Sequence, residues 1–138
     1  MTHWLIPANT KFYDVLGAFH EPETYWPVNS NVSVGDTVYI YLAAPYQQIA
    51  FVAEILEIDL DSKFAFDRVK PFFKGEIENS KPNKSFMRLK THSIIPLEGQ
   101  EQLSYASLKE NGLNGMLMGA RKLENNPQLF EYIQGNTP

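Results

Sequence analysis

Catalysis needs side chains that can attack, move a proton or hold a metal, and in this sequence residues of that kind are scattered. The three histidines, His3, His20 and His92, lie far apart with no paired-ligand spacing such as H-x-x-x-H, so a metal site would require chance convergence in space. There is no Cys, which removes disulfides, thiolate metal sites and cysteine nucleophiles together. Asp59-Leu60-Asp61 resembles the start of a cation loop but lacks the later Gly and Glu of a calcium site, and reads as a solvated strand end. No G-x-S-x-G elbow, G-x-x-x-x-G-K-[ST] loop or G-x-G-x-x-G turn is present. Gly112-Leu113-Asn114-Gly115 fits the G-x-x-G form of an RNA-backbone clamp, but its central pair carries no positive charge, and helix termination explains its glycines better. The expectation is a chain with no catalytic constellation, no metal and no cofactor.

Aromatic residues are more informative. Trp4, Phe12, Tyr13, Phe19, Tyr25 and Trp26 crowd the N-terminal part, and Tyr39, Tyr41 and Tyr46 follow. Phe12 and Phe19 fall on a helical stripe and Trp4 in an apolar strand, so core packing accounts for them. Trp26 sits in Glu23-Thr24-Tyr25-Trp26-Pro27-Val28-Asn29-Ser30-Asn31, a non-periodic stretch rich in turn formers. There an indole either plugs a sheet edge or lines a cleft.

The elements that must position these residues follow from periodicity. His3 to Ile6 reads as a strand stopped by Pro7, and Asn9 or Thr10 as the cap of a helix over about Lys11 to Phe19, with Phe12, Val15, Leu16 and Phe19 on its buried stripe. Val34-Gly35-Asp36 is a turn leading into the strand Thr37 to Leu42, with Val38, Ile40 and Leu42 on one face and Tyr39 and Tyr41 on the other. Ile49 to Leu60 pairs with it as a hairpin, and Phe86 to Ile95 is a further strand. Leu103 to Asn111 is a short helix capped by Ser104 or the preceding polar residues and ended by Gly112, and Asn126-Pro127 caps a last helix with Leu129, Phe130 and Ile133 inward. The order predicts an α+β domain around a small mixed or barrel-like sheet with flanking helices, spanning residues 1–138 as one unit.

Composition agrees. The chain has 138 residues, 43% hydrophobic and 20% charged, as expected of one globular core. No apolar run approaches the roughly 20 residues of a membrane span, and the first residues carry no basic or extended apolar leader, so a cytoplasmic location without membrane contact is expected. The net charge of −4 argues against bulk attraction to nucleic acid. Yet eight of the twelve cations fall between Lys63 and Lys90, against Asp67, Glu76 and Glu78. That stretch is either a phosphate-contacting strip, with Lys84, Arg88 and Lys90 in it, or a solvated lysine-rich loop.

Trp4-Leu5-Ile6-Pro7-Ala8-Asn9 with Tyr13-Asp14, then Trp26, then Val34 to Tyr41 with Pro45-Tyr46, and finally Gly119-Ala120-Arg121, resemble in order the EVE domain of the PUA-like superfamily, related to YTH and ASCH domains. The likeness is nearest to versions fused to HNH nucleases in modification-dependent restriction proteins, although the nuclease part is absent from this sequence. The resemblance implies a β-barrel with flanking helices and a pocket for a flipped, modified base, typically a modified cytosine in DNA, with YTH domains reading methylated adenine in RNA by similar aromatic cages. Trp26 would be a cage wall, with Tyr41 and Tyr46 near it. Where the family often carries Gln two residues after the pocket Trp, this chain has Val28. Polar contacts to the base would come from Asn9, Asn29, Ser30, Asn31 and Arg121, the last equally suited to a phosphate. The implied partners are nucleic acid bearing a modified base and a separately encoded nuclease or effector. The alternative is an ASCH-like RNA-related binding protein or nucleotide hydrolase.

Overall fold

The computed structural model describes residues 1–11, 13–28, 30–74 and 85–138. Ten helices and strands are described among these residues: β1 (His3–Ala8), α1 (Val15–His20), β2 (Glu23–Pro27), β3 (Thr37–Leu42), β4 (Gln48–Leu60), α2 (Ser62–Val69), β5 (Phe86–Ile94), α3 (Tyr105–Glu110), β6 (Arg121–Lys122) and α4 (Pro127–Asn136). The strands form one mixed sheet in the order β2-β5-β4-β3-β1-β6. Among the described strands only the β1–β3 pair is parallel, with Trp4 opposite Val38 and Ile6 opposite Ile40. No helix among the described residues is long and apolar enough to cross a membrane.

Both faces of the central hairpin are buried, which is why β3 reads as apolar on one side and aromatic on the other. Val38, Ile40 and Leu42 join Phe19, Phe51, Ile55, Met87 and Leu89 in one core. Tyr39 and Tyr41 join Ile49, Leu103, Leu108, Leu129 and Ile133 in a second core beneath α3 and α4. Each fully buried aliphatic or Phe side chain contributes about 1.5–3 kcal/mol. The capping expectations at the C-terminal end hold: Ser104 accepts from Ser107 N at 3.3 Å and Asn126 from Leu129 N at 3.3 Å, with Pro127 in the first turn. Gly112 has φ +117° at the end of α3, where its carbonyl accepts from Asn126 Nδ2 at 2.7 Å. The G-x-x-G resemblance is therefore explained by a helix stop.

The first helix is shorter than its periodicity predicts. Asp14 caps it, its carboxylate accepting from Gly17 N at 3.0 Å, and a side chain at Gly17 would push that capping carboxylate aside. Tyr13, ahead of the cap, bridges instead to Phe73. Phe12 lies outside the described residues. The Trp26 segment, expected to be irregular, is the edge strand β2, with Thr24 and Trp26 turned toward the first core opposite Leu89 and Met87. The turn formers around it hid a strand of only five residues.

The sheet is not closed into a barrel, which corrects the barrel expectation. Its free edges, β2 and the end of β1 beyond β6, face each other across a mouth, and two prolines explain the gap. Val28 N–H donates to Ser85 O at 3.0 Å, so alternation turns the Pro27 nitrogen away from β5 and into the mouth. Ala8 O accepts from Ala43 N at 2.9 Å toward β3, so the Pro7 nitrogen also faces the mouth. Neither nitrogen carries a hydrogen with which to knit the seam.

Candidate nucleic-acid interface at the sheet mouth

Two adjoining clefts occupy the mouth. The first, of about 310 Å³, is lined by Pro7, Asn9, Tyr13, Tyr25, Trp26, Pro27, Val69, Phe73 and Phe86. That volume is at the small end of ligand pockets and suits one base-sized group. The Trp26 ring is held between Tyr13 (centroids 5.6 Å apart) and Phe19 (5.7 Å), and Tyr13 in turn packs on Phe73 at 5.3 Å. Tilted rings at these separations are favourable aromatic contacts and fix the indole plane. Burial pushes the ionisation of the Tyr13 hydroxyl, next to Thr24, well above the usual phenol range, with Asp14 adding to the effect. Tyr13 is therefore a neutral phenol throughout the working pH range. At the rim, Asn9 Oδ1 accepts from Lys11 N at 2.8 Å. The second cleft, of about 280 Å³, shares the Pro7 and Pro27 walls and adds Ile6, Ser30, Val32, Met87 and Met118 to Ala120.

Of the residues singled out from sequence, Trp26 and Asn9 meet in the first cleft and Ser30 lies in the second. Asn31 is exposed on the β2–β3 connection. Asn29 and Lys84 lie outside the described residues. Tyr41 must be corrected: it is 5% exposed in the second core, on the opposite face of β3, because period-two alternation turns it away from Ile40 and the Trp26 side. Burial, with Tyr105 nearby, pushes its hydroxyl pKa up. Tyr46 stands exposed on the β3–β4 turn, which Tyr105 N–H ties to α3 through Gln47 O at 2.8 Å, and it lines neither cleft. Arg121 is also reassigned, since its guanidinium donates to Asn114 O at 2.6 Å and Met116 O at 2.7 Å and so clamps the α3–β6 loop.

The phosphate expectation for Arg88 meets a similar correction. Its guanidinium lies 2.7 Å from Glu23 and 3.5 Å from Glu57, so its charge is already matched, and it stands on the sheet face opposite Trp26 and Met87. Lys90 shares that face, in register with Glu23 and Glu54. Replacing Arg88 and Lys90 by Gln is therefore expected to leave the salt dependence of oligonucleotide binding unchanged, because each lost phosphate contact would lower the logarithmic slope by about 1. A flatter slope would return them to the interface.

Sequence reasoning left Tyr25, Phe73 and Phe86 out of the site. Phe72-Phe73 after Pro71 was the available signal, two adjacent rings inside a basic stretch where no helix or strand period calls for them. Among the described residues there is no cluster of three or more His, Asp or Glu that could hold a metal. His92 Nε2 and Glu54 approach to 3.5 Å on an exposed face, and Asp61 accepts from Lys63 N at 2.7 Å to start α2.

No family model and no curated protein matches the sequence. Solved structures do. The ASCH protein of Zymomonas mobilis is 12% identical, with a TM-score of 0.67 covering 99% of this chain and 96% of that one. A Pseudomonas putida protein is 16% identical at a TM-score of 0.63, covering 96% and 97% of the two chains. Human THYN1, solved in complex with 5-methylcytosine-containing DNA, is 13% identical at a TM-score of 0.62, covering 98% and 96%. At these identities the likeness is one of fold: the chain shares the architecture of these solved structures over nearly its whole length.

Proposed function

We propose that this PUA-like domain is a nucleic-acid-binding module whose aromatic cleft receives a flipped, modified base, a modified cytosine in DNA being the favoured ligand. The observation that carries the reading is Trp26, packed at a tilt between Tyr13 and Phe19 and lining a base-sized cleft. The bound DNA of the THYN1 neighbour supports it by analogy of fold alone. Extruding a base costs a few kcal/mol, and one aromatic stacking contact returns about 1–3 kcal/mol. Selectivity then falls to polar groups at the rim, of which Asn9 is the nearest. Since the net charge is −4, backbone affinity must be local. Lys70 and Lys74 lie in the same segment as Val69 and Phe73 of the cleft wall, and Lys74 Nζ donates to Thr10 O at 2.9 Å. They are the phosphate contacts proposed in place of Arg88 and Lys90, beside Lys84, which stays a candidate.

A binding screen tests this with matched DNA and RNA oligonucleotides bearing cytosine, 5-methylcytosine, 5-hydroxymethylcytosine or N6-methyladenine. Preference for a modified cytosine in DNA is the expected result, and equal affinity for all probes overturns it. Incubation with magnesium, manganese or zinc tests the hydrolase alternative. Turnover that disappears on replacing His92 or Asp59 would replace the binding reading with an enzymatic one. A nuclease or other effector encoded separately would supply any downstream chemistry.

A further inference from the structure

Helix α2 follows β4, and Asp61 starts it by accepting from Lys63 N at 2.7 Å. Ala65 and Val69, one turn apart, are its buried positions, and Val69 reaches the wall of the aromatic cleft. Phe64 and Arg68, also one turn apart, are both exposed. The guanidinium carbon of Arg68 lies over the Phe64 ring, 3.8 Å from its centroid, and 5.9 Å from that of Tyr25. Phe64 meets Tyr25 edge-on, with centroids 6.0 Å apart, and Tyr25 lines the cleft. A guanidinium laid on ring faces is set in place before any ligand arrives, while its edge N–H groups stay available. Its charge is also unmatched within the fold. Among the described residues no carboxylate lies within ion-pair distance of Arg68, whereas Arg88, in register with Tyr25, is matched by Glu23 and Glu57.

From this arrangement we infer that Arg68, held on Phe64 and Tyr25, anchors a backbone phosphate beside the base that enters the aromatic cleft. The inference rests on the base-pocket reading and adds to it a residue that sets which nucleotide stands at the cleft. Residues 63–74 carry four cations, Lys63, Arg68, Lys70 and Lys74, against Asp67 alone, in a chain whose net charge is −4. This segment therefore offers an anion a local positive field that the rest of the chain does not. A phosphodiester presents two anionic oxygens to the forked N–H groups of a guanidinium, a directed contact that a lysine, as a point charge, does not make. Phosphate contacts fix register and orientation without reading sequence. An exposed arginine ordinarily loses rotamer freedom when it binds, and the Phe64 ring removes part of that cost beforehand. The cleft then reads the base, and Arg68 holds the strand in the register that brings the base there.

The test uses the full chain and a DNA oligonucleotide carrying one 5-methylcytosine, with its unmethylated counterpart, in whichever of the single- and double-stranded forms binds more tightly. Arg68→Gln should weaken both probes alike, on the order of fivefold, and lower the logarithmic salt slope by about 0.7 on a single strand or 0.9 on a duplex. Phosphates near the modified base are then replaced one at a time by uncharged methylphosphonates. One of them, next to that base, should cost the natural chain as much as Arg68→Gln does and cost the variant nothing further. An unchanged slope, losses that add at every position, or coupling only to a phosphate remote from the modified base overturns the anchor and leaves the base pocket standing. A loss confined to the methylated probe also overturns it, by making the guanidinium a surface on which a base stacks. Phe64→Leu, at an exposed position, keeps the charge and should lower affinity about two- to fivefold with the slope retained. Full affinity there overturns the part given to the ring. Trp26→Ala on the same probes separates the two readings: no effect of it beside an intact Arg68 coupling overturns the pocket alone, and no binding of either probe by the unaltered protein overturns both.

Discussion

Trp26→Ala is expected to weaken binding of a modified-cytosine oligonucleotide by about 1–3 kcal/mol, roughly 5- to 150-fold, while affinity for the unmodified counterpart moves by less than about threefold. Loss of the indole removes the stacking surface for an extruded base, and a ligand that extrudes none has little to lose. Some stability goes with it. On its residue type alone Trp26 was as compatible with a plug as with a pocket wall, and in the structure it is half-buried against Phe19 and Tyr13, so part of its surface is core. Complete truncation of a core Trp costs about 3–5 kcal/mol, and a half-buried one proportionately less, so the variant should remain folded at room temperature. Trp26→Phe keeps a ring between its neighbours and should recover most of the stability and part of the affinity. Equal loss of both affinities by Trp26→Phe, at an unchanged melting temperature, would make the residue a general contact and end the cage reading.

The largest expected effect on stability is at Asp36. Its side chain is 4% exposed and its carboxylate collects three donors, Thr2 N at 3.0 Å, Trp4 Nε1 at 3.0 Å and Ser33 N at 2.9 Å. Asp36→Ala strands the indole N–H and two backbone N–H groups in or near the core, costing on the order of 3 kcal/mol. For a domain of this size that lowers the melting temperature by about 10 °C. Burial on its own would raise the carboxylate's pKa, yet the three hydrogen bonds and the positive N-terminus bring it below the ordinary value. A folded-state pKa lower than the unfolded one means that this stabilisation is complete above about pH 4, the unfolded value, and is lost as pH falls through the folded one. Urea titrations at neutral pH and near pH 3 should therefore show the gap between the natural chain and Asp36→Asn narrowing on acidification. A gap that does not change with pH would assign the effect to shape rather than charge.

How much could be read in advance depended on the range over which each feature is decided. The strand Thr37–Leu42, the caps at Ser104 and Asn126 and the stop at Gly112 are local, set by alternation, a side-chain oxygen or a left-handed φ within a few residues. They were legible. Asp36 looked like a turn residue because its partner Trp4 is 32 positions away. Arg88 looked free for phosphate because Glu23 lies 65 positions off, and only the β2–β5 register brings them together. The candidate site is of the second kind. Pro7, Tyr13, Trp26, Phe73 and Phe86 come from five separate segments, and of these only Trp26 was singled out as a misfit, although the Phe72-Phe73 pair offered a second such signal. Tyr41 failed for a simpler reason, since membership of a hairpin does not say which face a residue takes.

The two prolines of the mouth also bear on how this protein behaves among its own copies. An open sheet has two edges, and an edge with free N–H and C=O groups is a template on which a strand from another molecule can pair, the first step toward domain swapping or fibrils. Here the outward positions that matter are Pro27 on β2 and Pro7 on β1, each turning a nitrogen without hydrogen toward an incoming strand. A foreign backbone would leave its own carbonyl unpaired at each of them. Substituting either proline by Val or Thr should therefore raise the rate of concentration-dependent aggregation at little cost to the folded monomer, since the residues that keep the mouth open also keep it from being zipped shut by a neighbour.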